Sequence, residues 1–315
     1  MDSSTTRAIE PDAAAPDDII GVLEQGRRQF LALVEHVRPE LHRYCTRMTG
    51  SVADGEDVVQ ETLARAYYEL SELKELPRLR QWLFRIAHNR AIDHWRHEAY
   101  RASEPLDAAI EVADDAALAP DNVMARHQAV HAAISCFLEL APAQRGCVIL
   151  KDVLDHSVDE IAGELSLSEQ AVKAALHRGR VALRRGVEAP TSFAARAPDM
   201  SPALRRYAAL FNAHDWDGVR SMLADDVRLD LVSRRKAAGR REVGNYVTNY
   251  ERATDWHVVA AWLDRREVLA VMPDSRATKA RYFIELGWAD GRIVAIRDFR
   301  YVPYIAQEAS FELEA

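Results

Sequence analysis

Residues 158–180 read VDEIAGELSLSEQAVKAALHRGR, and their spacing decides how the middle of the chain folds. Apolar residues recur at helical spacing on both sides of a short Ser-Leu-Ser turn; they are Ile161, Ala162 and Leu165 before it and Val172 and Leu176 after it. The small side chain of Ala162 lets two helices cross closely, and Ser168 is placed to cap the second helix. The pattern predicts a helix-turn-helix, whose second helix enters the major groove of DNA.

The second helix of this motif carries polar and basic residues on its outward face. With the capping Ser168, the candidate contacts to base edges and phosphates are Glu169, Gln170, Lys173, His177, Arg178, Arg180 and Arg184. A basic amphipathic helix is commonly just a solvated face. Here the turn, the cap, the apolar register and the basic face agree with one another, which favours DNA binding.

A second segment, residues 79–101, reads LRQWLFRIAHNRAIDHWRHEAYR and alternates aromatic with basic side chains along one predicted helix. Aromatic rings stack on unpaired bases and basic groups contact phosphates, so such a helix is suited to separated DNA strands. The candidate residues are Trp82, Phe84, Arg85, His88, Asn89, Arg90, Trp95, Arg96 and His97. Leu83 and Ile86 are expected in the core, and for Trp82 the pattern leaves core and stacking roles open.

A third segment, residues 53–70, reads ADGEDVVQETLARAYYEL and begins with acidic residues. The acidic side chains are Asp54, Glu56, Asp57 and Glu61. Carboxylates near the start of a helix interact favourably with the helix dipole, which is one explanation of the cluster. The other explanation is a face that docks on another protein, and the spacing is compatible with both.

Composition and punctuation divide the chain into helical units, linkers and a C-terminal domain of mixed structure. The predicted parts are a mobile tail (1–18), a helical unit (19–101), an acidic linker (102–122), a second helical unit (123–186), a proline-containing linker (187–201), an α+β domain (202–308) and a tail (309–315). Asp290-Gly291 predicts a hairpin turn in the last domain. The expected fold class is therefore multidomain, with two all-α domains followed by an α+β domain.

The overall composition is that of an ordinary globular protein. The 315 residues include 48% hydrophobic and 29% charged residues, with a formal net charge of -8, which excludes collagen-like, mucin-like and wholly disordered classes. No secretory signal is expected, because residues 1–18 lack a basic start followed by an apolar run. No stretch is long and apolar enough to predict a membrane helix. Three separated cysteines without metal-ligand spacing indicate a reduced, cytoplasmic setting.

Taken in order, three stretches resemble the sigma-70 family of RNA polymerase initiation factors, and more narrowly its extracytoplasmic-function group, which keeps regions 2 and 4. The stretches are GEDVVQETLARAYY, LRQWLFRIAHNRAIDHWR and LELAPAQRGCVILKDVLDHSVDEIAGELSLSEQAVKAALHRGRVALR, within residues 24–186. Two departures are visible: Gly55 stands where the family commonly has Ala, and Ser166 stands where Gly is frequent.

This resemblance implies partners and site residues. Core RNA polymerase would dock its β′ clamp helices on Asp54, Glu56, Asp57, Gln60 and Glu61 and would contact the chain through the β flap. Promoter DNA would be read at the minus-35 element by the helix that follows Ser168. The minus-10 element would be melted and captured by Lys74, Arg78, Arg80, Trp82, Arg85, His88, Asn89 and Arg96. The acidic linker would thread a channel that nucleic acid otherwise occupies.

The C-terminal domain resembles the SnoaL-like branch of the NTF2-like cone fold, on LRRYAALFNAHDWDGVRSMLADDVRLDLV and RIVAIRDFRYVPYI. A cone of this kind encloses a pocket for a small-molecule ligand, and the candidate lining residues are Trp256, Tyr282, Trp288, Asp298 and Tyr301. The alternative is that the aromatic rings simply fill the cone. Asp298, beside Arg297 and Arg300, is expected to be a salt-bridged structural residue, with a role as an acid–base group as the alternative.

The sequence therefore predicts a sigma factor whose activity is modulated by its fused C-terminal domain. On this hypothesis the chain is not an enzyme and has no catalytic residue, cofactor, metal site or membrane partner. Two alternatives stay open, namely a SnoaL-like small-molecule enzyme and a ligand-sensing repressor, each tethered to DNA by the helix-turn-helix. The acidic helix and the aromatic-basic helix disfavour the repressor, which needs neither.

Overall fold

The computed structural model describes residues 25–26, 28–70, 78–103, 137–188, 199–251, 256–309 and 311–313. Among these residues, helices predominate up to residue 188, and a mixed sheet with helices follows from residue 199. The predicted fold class is confirmed. We call residues 28–103 the first helical unit, residues 137–188 the second helical unit, and residues 199–313 the C-terminal domain.

The first helical unit consists of a helical segment at residues 28–34 and three longer helices, α1 (Arg38–Thr49), α2 (Val52–Tyr68) and α3 (Leu79–Ser103). Gly50, with a left-handed φ of 86°, ends α1, and the Ser51 side chain caps α2 by accepting from the Asp54 N–H. At Gly55 a Cβ would lie 2.7 Å from the Thr46 backbone nitrogen, so α1 and α2 approach closely there. A side chain at position 55 would therefore meet α1, which favours glycine there.

The second helical unit contains α4 (Pro142–Val148), a π-helical turn (Ile149–Val153), α5 (Val158–Leu165) and α6 (Glu169–Glu188). The predicted helix-turn-helix over α5 and α6 is confirmed, and the apolar residues that predicted it, Ile161, Leu165, Val172 and Leu176, are buried. Ser166 adopts a left-handed φ of 55° at the end of α5. Glycine adopts this conformation without a steric penalty, so serine is less favourable there than glycine would be.

The two helical units share one hydrophobic core. Tyr44 and Leu83 of the first unit belong to the same buried cluster as Val148 and Ile161 of the second. The units therefore form a single packed body in this structure.

The C-terminal domain is built around a seven-stranded sheet with strand order β2-β1-β6-β5-β4-β3-β7. Its elements are α7 (Pro202–Asn212), α8 (Trp216–Ser221), β1 (Leu223–Leu231), β2 (Arg235–Ala238), α9 (Arg240–Glu251), β3 (His257–Leu263), β4 (Arg266–Met272), β5 (Tyr282–Ala289), β6 (Arg292–Asp298), α10 (Tyr304–Glu308) and β7 (Phe311–Leu313). β1 runs parallel to β6, and the other neighbouring strands pair antiparallel. Helix α7 packs on β3 and β4, and α9 packs on β1 and β2.

Two strands differ from the sequence prediction. The expected tail at 309–315 contains β7, which pairs with β3 and packs Phe311 against Phe283 with ring centroids 5.2 Å apart, so the domain extends to Leu313. Strand β2 was not predicted, because its four residues, RKAA, show no alternation of apolar and polar side chains. The Asp290-Gly291 hairpin turn between β5 and β6 is confirmed.

Among the described helices, none has the length and apolar character needed to cross a bilayer.

Candidate nucleic-acid and protein interfaces

The outward face of α6 presents the predicted minus-35 contacts to solvent. The Ser168 hydroxyl caps the helix by accepting from the Ala171 N–H at 3.2 Å. The exposed residues beyond this cap are Glu169, Gln170, Lys173, His177, Arg178 and Arg184. Buried Val172 and Leu176 fix the opposite face on the core, so the basic face is directed outward by the apolar register itself.

Two basic residues among the predicted contacts, Lys173 and the half-buried Arg180, already pair with carboxylates. Lys173 donates to Glu169 at 3.2 Å along the same helix. Arg180 makes a two-pronged contact with Asp152, with donor–acceptor distances of 2.5 and 2.9 Å. Exposed pairs of this kind are weak, so phosphates can replace the carboxylates without a large loss.

The predicted minus-10 contacts on α3 and just before it fall into an exposed set and a buried set, with Arg80 half-buried between them. Arg78, Arg85, Asn89 and Arg96 are exposed. Trp82 is only 8% exposed and Phe84 is fully buried, so both rings belong to the core in this structure. Lys74 lies outside the described residues.

His88 is also buried, which gives it a structural role here. Its Nδ1 lies 2.6 Å from the Tyr44 hydroxyl, and burial lowers the pKa of His88 to about 4. The ring is therefore neutral at physiological pH. Among the candidate histidines, His97 on α3 and His177 on α6 are the ones that the structure leaves exposed.

Three acidic residues of α2, Asp54, Glu56 and Asp57, contact the C-terminal domain, which the sequence could not indicate. Arg266, at the start of β4, contacts Asp54 at 2.8 Å, and Arg297 on β6 contacts Asp57 at 2.5 Å. The turn between β3 and β4 adds a third contact, because the Val52 N–H at the start of α2 donates to Asp264 at 2.6 Å. The contact is apolar as well as ionic.

Val52 and Ala53 lie in the hydrophobic core of the C-terminal domain, although they begin a helix of the first helical unit. The turn that contacts them is a left-handed one, with φ of 51° at Asp264 and 65° at Arg265. Left-handed backbone at two successive non-glycine residues is unfavourable, so the surrounding contacts hold this turn in place. The first two residues of α2 are thus buried against the C-terminal domain.

Glu56 lies deeper in the same interface and is fully buried. Its carboxylate accepts hydrogen bonds from Arg38 at 2.5 Å, from Tyr304 at 2.7 Å and from Gln60 at 2.8 Å. Tyr304 belongs to α10, so this carboxylate joins α1, α2 and the C-terminal domain. Of the five predicted polymerase contacts, Glu61 is the one exposed to solvent.

Burial, together with neighbouring carboxylates, raises the pKa of Asp57 to about 6. The nearby charge of Arg297 lowers this pKa and offsets part of the rise, whereas the charge of Asp54 raises the pKa. The interface therefore contains a carboxyl group that titrates close to neutral pH.

The candidate ligand pocket of the C-terminal domain is occupied by its own side chains. Asp298 is fully buried and accepts hydrogen bonds from the hydroxyls of Tyr246 and Tyr250, the latter at 2.9 Å, and from the Arg300 N–H at 2.8 Å. Burial raises the pKa of Asp298 despite these hydrogen bonds. Tyr246 and Tyr250 were not singled out in the sequence, where only their four-residue spacing on a helix could have indicated them.

The remaining pocket candidates have different surroundings. Tyr282 is buried, Trp256 and Trp288 are half-buried, and Tyr301 is 44% exposed beneath the Arg234 guanidinium. Trp256 packs edge-on against Phe211, with ring centroids 4.9 Å apart. These contacts favour the interpretation in which aromatic rings fill the cone.

The expected salt bridge at Asp298 is wrong. Arg297 contacts Asp57 and Glu285 instead, because successive residues of a strand point to opposite faces of the sheet. The partners of Asp298 are tyrosine hydroxyls and a backbone N–H.

Comparison with known families supports the assignment of the two helical units. Residues 33–100 match the family described as Sigma-70 region 2, and residues 131–183 match Sigma-70, region 4.

Individual relatives carry the same description. SigG of Mycobacterium tuberculosis, an ECF RNA polymerase sigma factor, is 33% identical over 218 residues, which are 62% of this chain and 59% of SigG. The chain thus spans about three fifths of the length of SigG. SigL of the same species, also an ECF RNA polymerase sigma factor, is 32% identical over 154 residues, covering 49% of this chain and 85% of SigL. The solved structure of M. tuberculosis SigJ aligns over 87% of this chain and 98% of that chain, with 21% identity and a TM-score of 0.34.

Proposed function

The chain belongs to the extracytoplasmic-function group of RNA polymerase sigma factors, and we propose that it binds core RNA polymerase, recognises minus-35 and minus-10 promoter elements and initiates transcription. We further propose that its fused C-terminal domain restrains this activity. Neither role requires a catalytic residue in the chain.

Promoter recognition is assigned to two helices. The exposed polar and basic residues of α6, from the Ser168 cap to Arg184, read the minus-35 element in the major groove. The exposed residues Arg78, Arg85, Asn89 and Arg96 contact the minus-10 element. Trp82 is buried, so its contribution to strand capture requires a rearrangement of α3.

Polymerase docking is assigned to α2, with its acidic residues facing the β′ clamp helices. The observation that supports the regulatory part of the proposal is a pair of salt bridges. Arg266 pairs with Asp54, and Arg297 pairs with Asp57. The same carboxylates cannot pair with the C-terminal domain and with polymerase at one time. The C-terminal domain therefore competes with polymerase for α2, and undocking of the domain precedes or accompanies holoenzyme formation.

This competition does not require a ligand. Arg297 and Asp298 lie on opposite faces of β6, so the charged face that meets α2 is separate from the polar cluster around Asp298. A small molecule that displaced the tyrosines around Asp298 would change the packing beneath that charged face. Binding of a small-molecule ligand by the C-terminal domain is therefore a separate proposal from its competition with polymerase.

The test of the proposed function is run-off transcription with purified core polymerase on promoters selected from a random library. The wild type is compared with Arg266→Ala/Arg297→Ala, so that restraint by the C-terminal domain is not mistaken for inactivity. Lys173→Ala/Arg178→Ala tests α6, with Arg276→Ala/Lys279→Ala as a control that removes two exposed cations elsewhere. We expect specific initiation. The control variant should retain it, and the α6 variant should lose it. No initiation by the wild type or the Arg266→Ala/Arg297→Ala variant would favour the repressor alternative.

A further inference from the structure

A cluster of charged side chains joins the two helical units. The proposed function gives this cluster no role. His156 contributes both ring nitrogens, with Nδ1 2.8 Å from Glu164 Oε2 and Nε2 3.0 Å from Glu40 Oε1. Arg80 contacts Glu40 at 2.7 Å and Glu164 at 3.6 Å. Glu40 and Arg80 belong to the first helical unit, and His156 and Glu164 belong to the second. The contacts His156–Glu40 and Arg80–Glu164 therefore cross between the units.

The backbone around His156 places this side chain in the charged cluster. The π-helical turn ends at Val153, and Asp155 adopts a left-handed φ of 58°. The His156 N–H then donates to the Leu150 carbonyl at 2.9 Å, and its own carbonyl accepts from Lys151 at 2.9 Å. Single π-helical turns recur at functional positions in proteins, and this one fixes a histidine that is 1% exposed.

A second contact between the units lies nearby and involves a buried arginine. Arg145 on α4 donates to the carbonyls of Met48, at the end of α1, at 2.6 Å and of Leu140 at 3.1 Å. Next to it, a Cβ on Gly146 would lie 3.0 Å from the Tyr44 hydroxyl. The units are therefore packed in backbone-close contact and not merely tethered.

This packed arrangement is incompatible with simultaneous reading of two promoter elements. Helices α3 and α5 are so close that a Cβ on Gly163 would overlap the Gln81 side chain. Elements centred about 25 base pairs apart lie on the order of 80 Å apart on a duplex that rises about 3.4 Å per base pair. The units must separate before α3 and α6 contact both elements.

The charged cluster is suited to release. Two nitrogen atoms crowd Glu40 Oε1, since Arg80 Nη2 lies 2.7 Å and His156 Nε2 lies 3.0 Å from this oxygen and the two nitrogens are 2.5 Å apart. Within the described structure, Glu164 Oε1 is buried without a hydrogen-bond partner, and its contact with Arg80 is a long one. A buried carboxylate oxygen that lacks a hydrogen bond weakens the arrangement that buries it.

We propose that Glu40, Arg80, His156 and Glu164 form a latch that holds the two helical units closed, and that Arg80 exchanges these carboxylates for promoter phosphates when the units separate. The closed state follows from the geometry alone, whereas the exchange at Arg80 rests on the proposed function. Carboxylates that occupy a phosphate-binding guanidinium keep it from nonspecific DNA until the latch opens.

The experiment uses the full chain with donor and acceptor dyes at Glu35→Cys and Arg185→Cys, one in each helical unit, in a Cys136→Ser background. Both dye positions are exposed, and Cys45 and Cys147 are buried. Energy transfer is measured without polymerase or DNA for the parent and for Glu40→Gln/Glu164→Gln. The control Asp217→Asn removes an exposed carboxylate in α8 of the C-terminal domain.

The latch predicts that Glu40→Gln/Glu164→Gln lowers transfer efficiency by increasing the open population at least several-fold, while Asp217→Asn leaves it unchanged. Circular dichroism verifies that the helices are retained, and Glu40→Gln alone decides the matter if the double variant unfolds. Efficiency equal to the parent in a folded variant overturns the latch. Because this readout needs no transcription, open variants that never initiate would contradict the sigma function and leave the latch standing.

Discussion

Arg297 and Asp298 are neighbours on β6, yet they serve opposite faces of the sheet. Arg297 reaches Asp57 on α2 at 2.5 Å, and Asp298 is buried beneath the hydroxyls of Tyr246 and Tyr250. One residue of the pair therefore docks the C-terminal domain on the first helical unit, and the other holds the domain together. The two roles predict separable effects of mutation.

Replacing Asp298 by alanine is expected to destabilise the C-terminal domain by about 3 kcal/mol, because two buried tyrosine hydroxyls lose their acceptor. Thermal unfolding followed by tryptophan fluorescence measures the change. Arg297→Gln serves as the comparison, since it leaves the tyrosine cluster intact and should lower the melting temperature far less. Equal losses in both variants would contradict the separation of roles.

Gly55→Ala is expected to lower the melting temperature of the full chain, since the new Cβ would lie 2.6 to 2.8 Å from atoms of Thr46 in α1. Overpacking of this kind costs about 1–3 kcal/mol, which exceeds the gain of about 1 kcal/mol from replacing a helical glycine. Gly244→Ala in α9 is the matched control, because its Cβ would make only ordinary contacts at 3.9 Å. A stabilised Gly55→Ala chain would show that the helices can move apart freely.

The latch is expected to loosen as pH rises. Burial opposes protonation of His156, but hydrogen bonds to Glu164 and Glu40 outweigh it and raise its pKa to about 9, with Arg80 opposing. The charged groups around the ring come from every adjacent element: Glu40 on α1, Arg80 on α3, Lys151 in the π-helical turn, and Glu160 and Glu164 on α5.

A histidine whose pKa is raised in the closed state stabilises that state fully below its ordinary pKa of about 6.5 and loses this contribution as pH rises through about 9. Glu40 stays ionised throughout, because hydrogen bonds from His156 and Arg80 overcome its burial and lower its pKa to about 2. Energy transfer between the two helical units should therefore fall between pH 7 and pH 10. His156→Gln should remove this pH dependence; a variant that kept it would assign the transition to another group.

Arg80→Ala is expected to have two effects that a purely structural residue would not combine. It removes a contact of the latch, so the open population rises, and it removes a phosphate contact, so promoter affinity falls. The slope of log affinity against log salt should decrease by about one unit. Binding titrations at several salt concentrations measure this, with Arg276→Ala as the control. An unchanged slope would mean that Arg80 belongs to the latch alone.

Local features of the fold could be predicted from the sequence because they depend on spacing. The helix-turn-helix followed from Ile161, Leu165, Val172 and Leu176, and Ser168 was recognised as a cap from its position. Strand β7 was missed because three residues carry no periodicity.

The interfaces could not be predicted because they join residues far apart in the chain. Arg266 and Asp54 are 212 positions apart, and nothing in either segment indicates the other. No role for His156 followed from the sequence, although it contacts Glu40 in the first helical unit and Glu164 in the second. For Trp82, periodicity left core and surface open, and packing against the rest of the first helical unit decided for the core.

The central claim is that the C-terminal domain and core polymerase compete for the acidic face of α2. The most direct measurement is the affinity of the full chain for core polymerase, wild type against Arg266→Ala/Arg297→Ala, with Arg276→Ala/Lys279→Ala as the control. Each partly buried ion pair contributes about 1 kcal/mol, so the double variant should bind polymerase roughly 5- to 30-fold more tightly while the control binds like the wild type. Affinity equal to or weaker than the wild type in the folded double variant would contradict the competition.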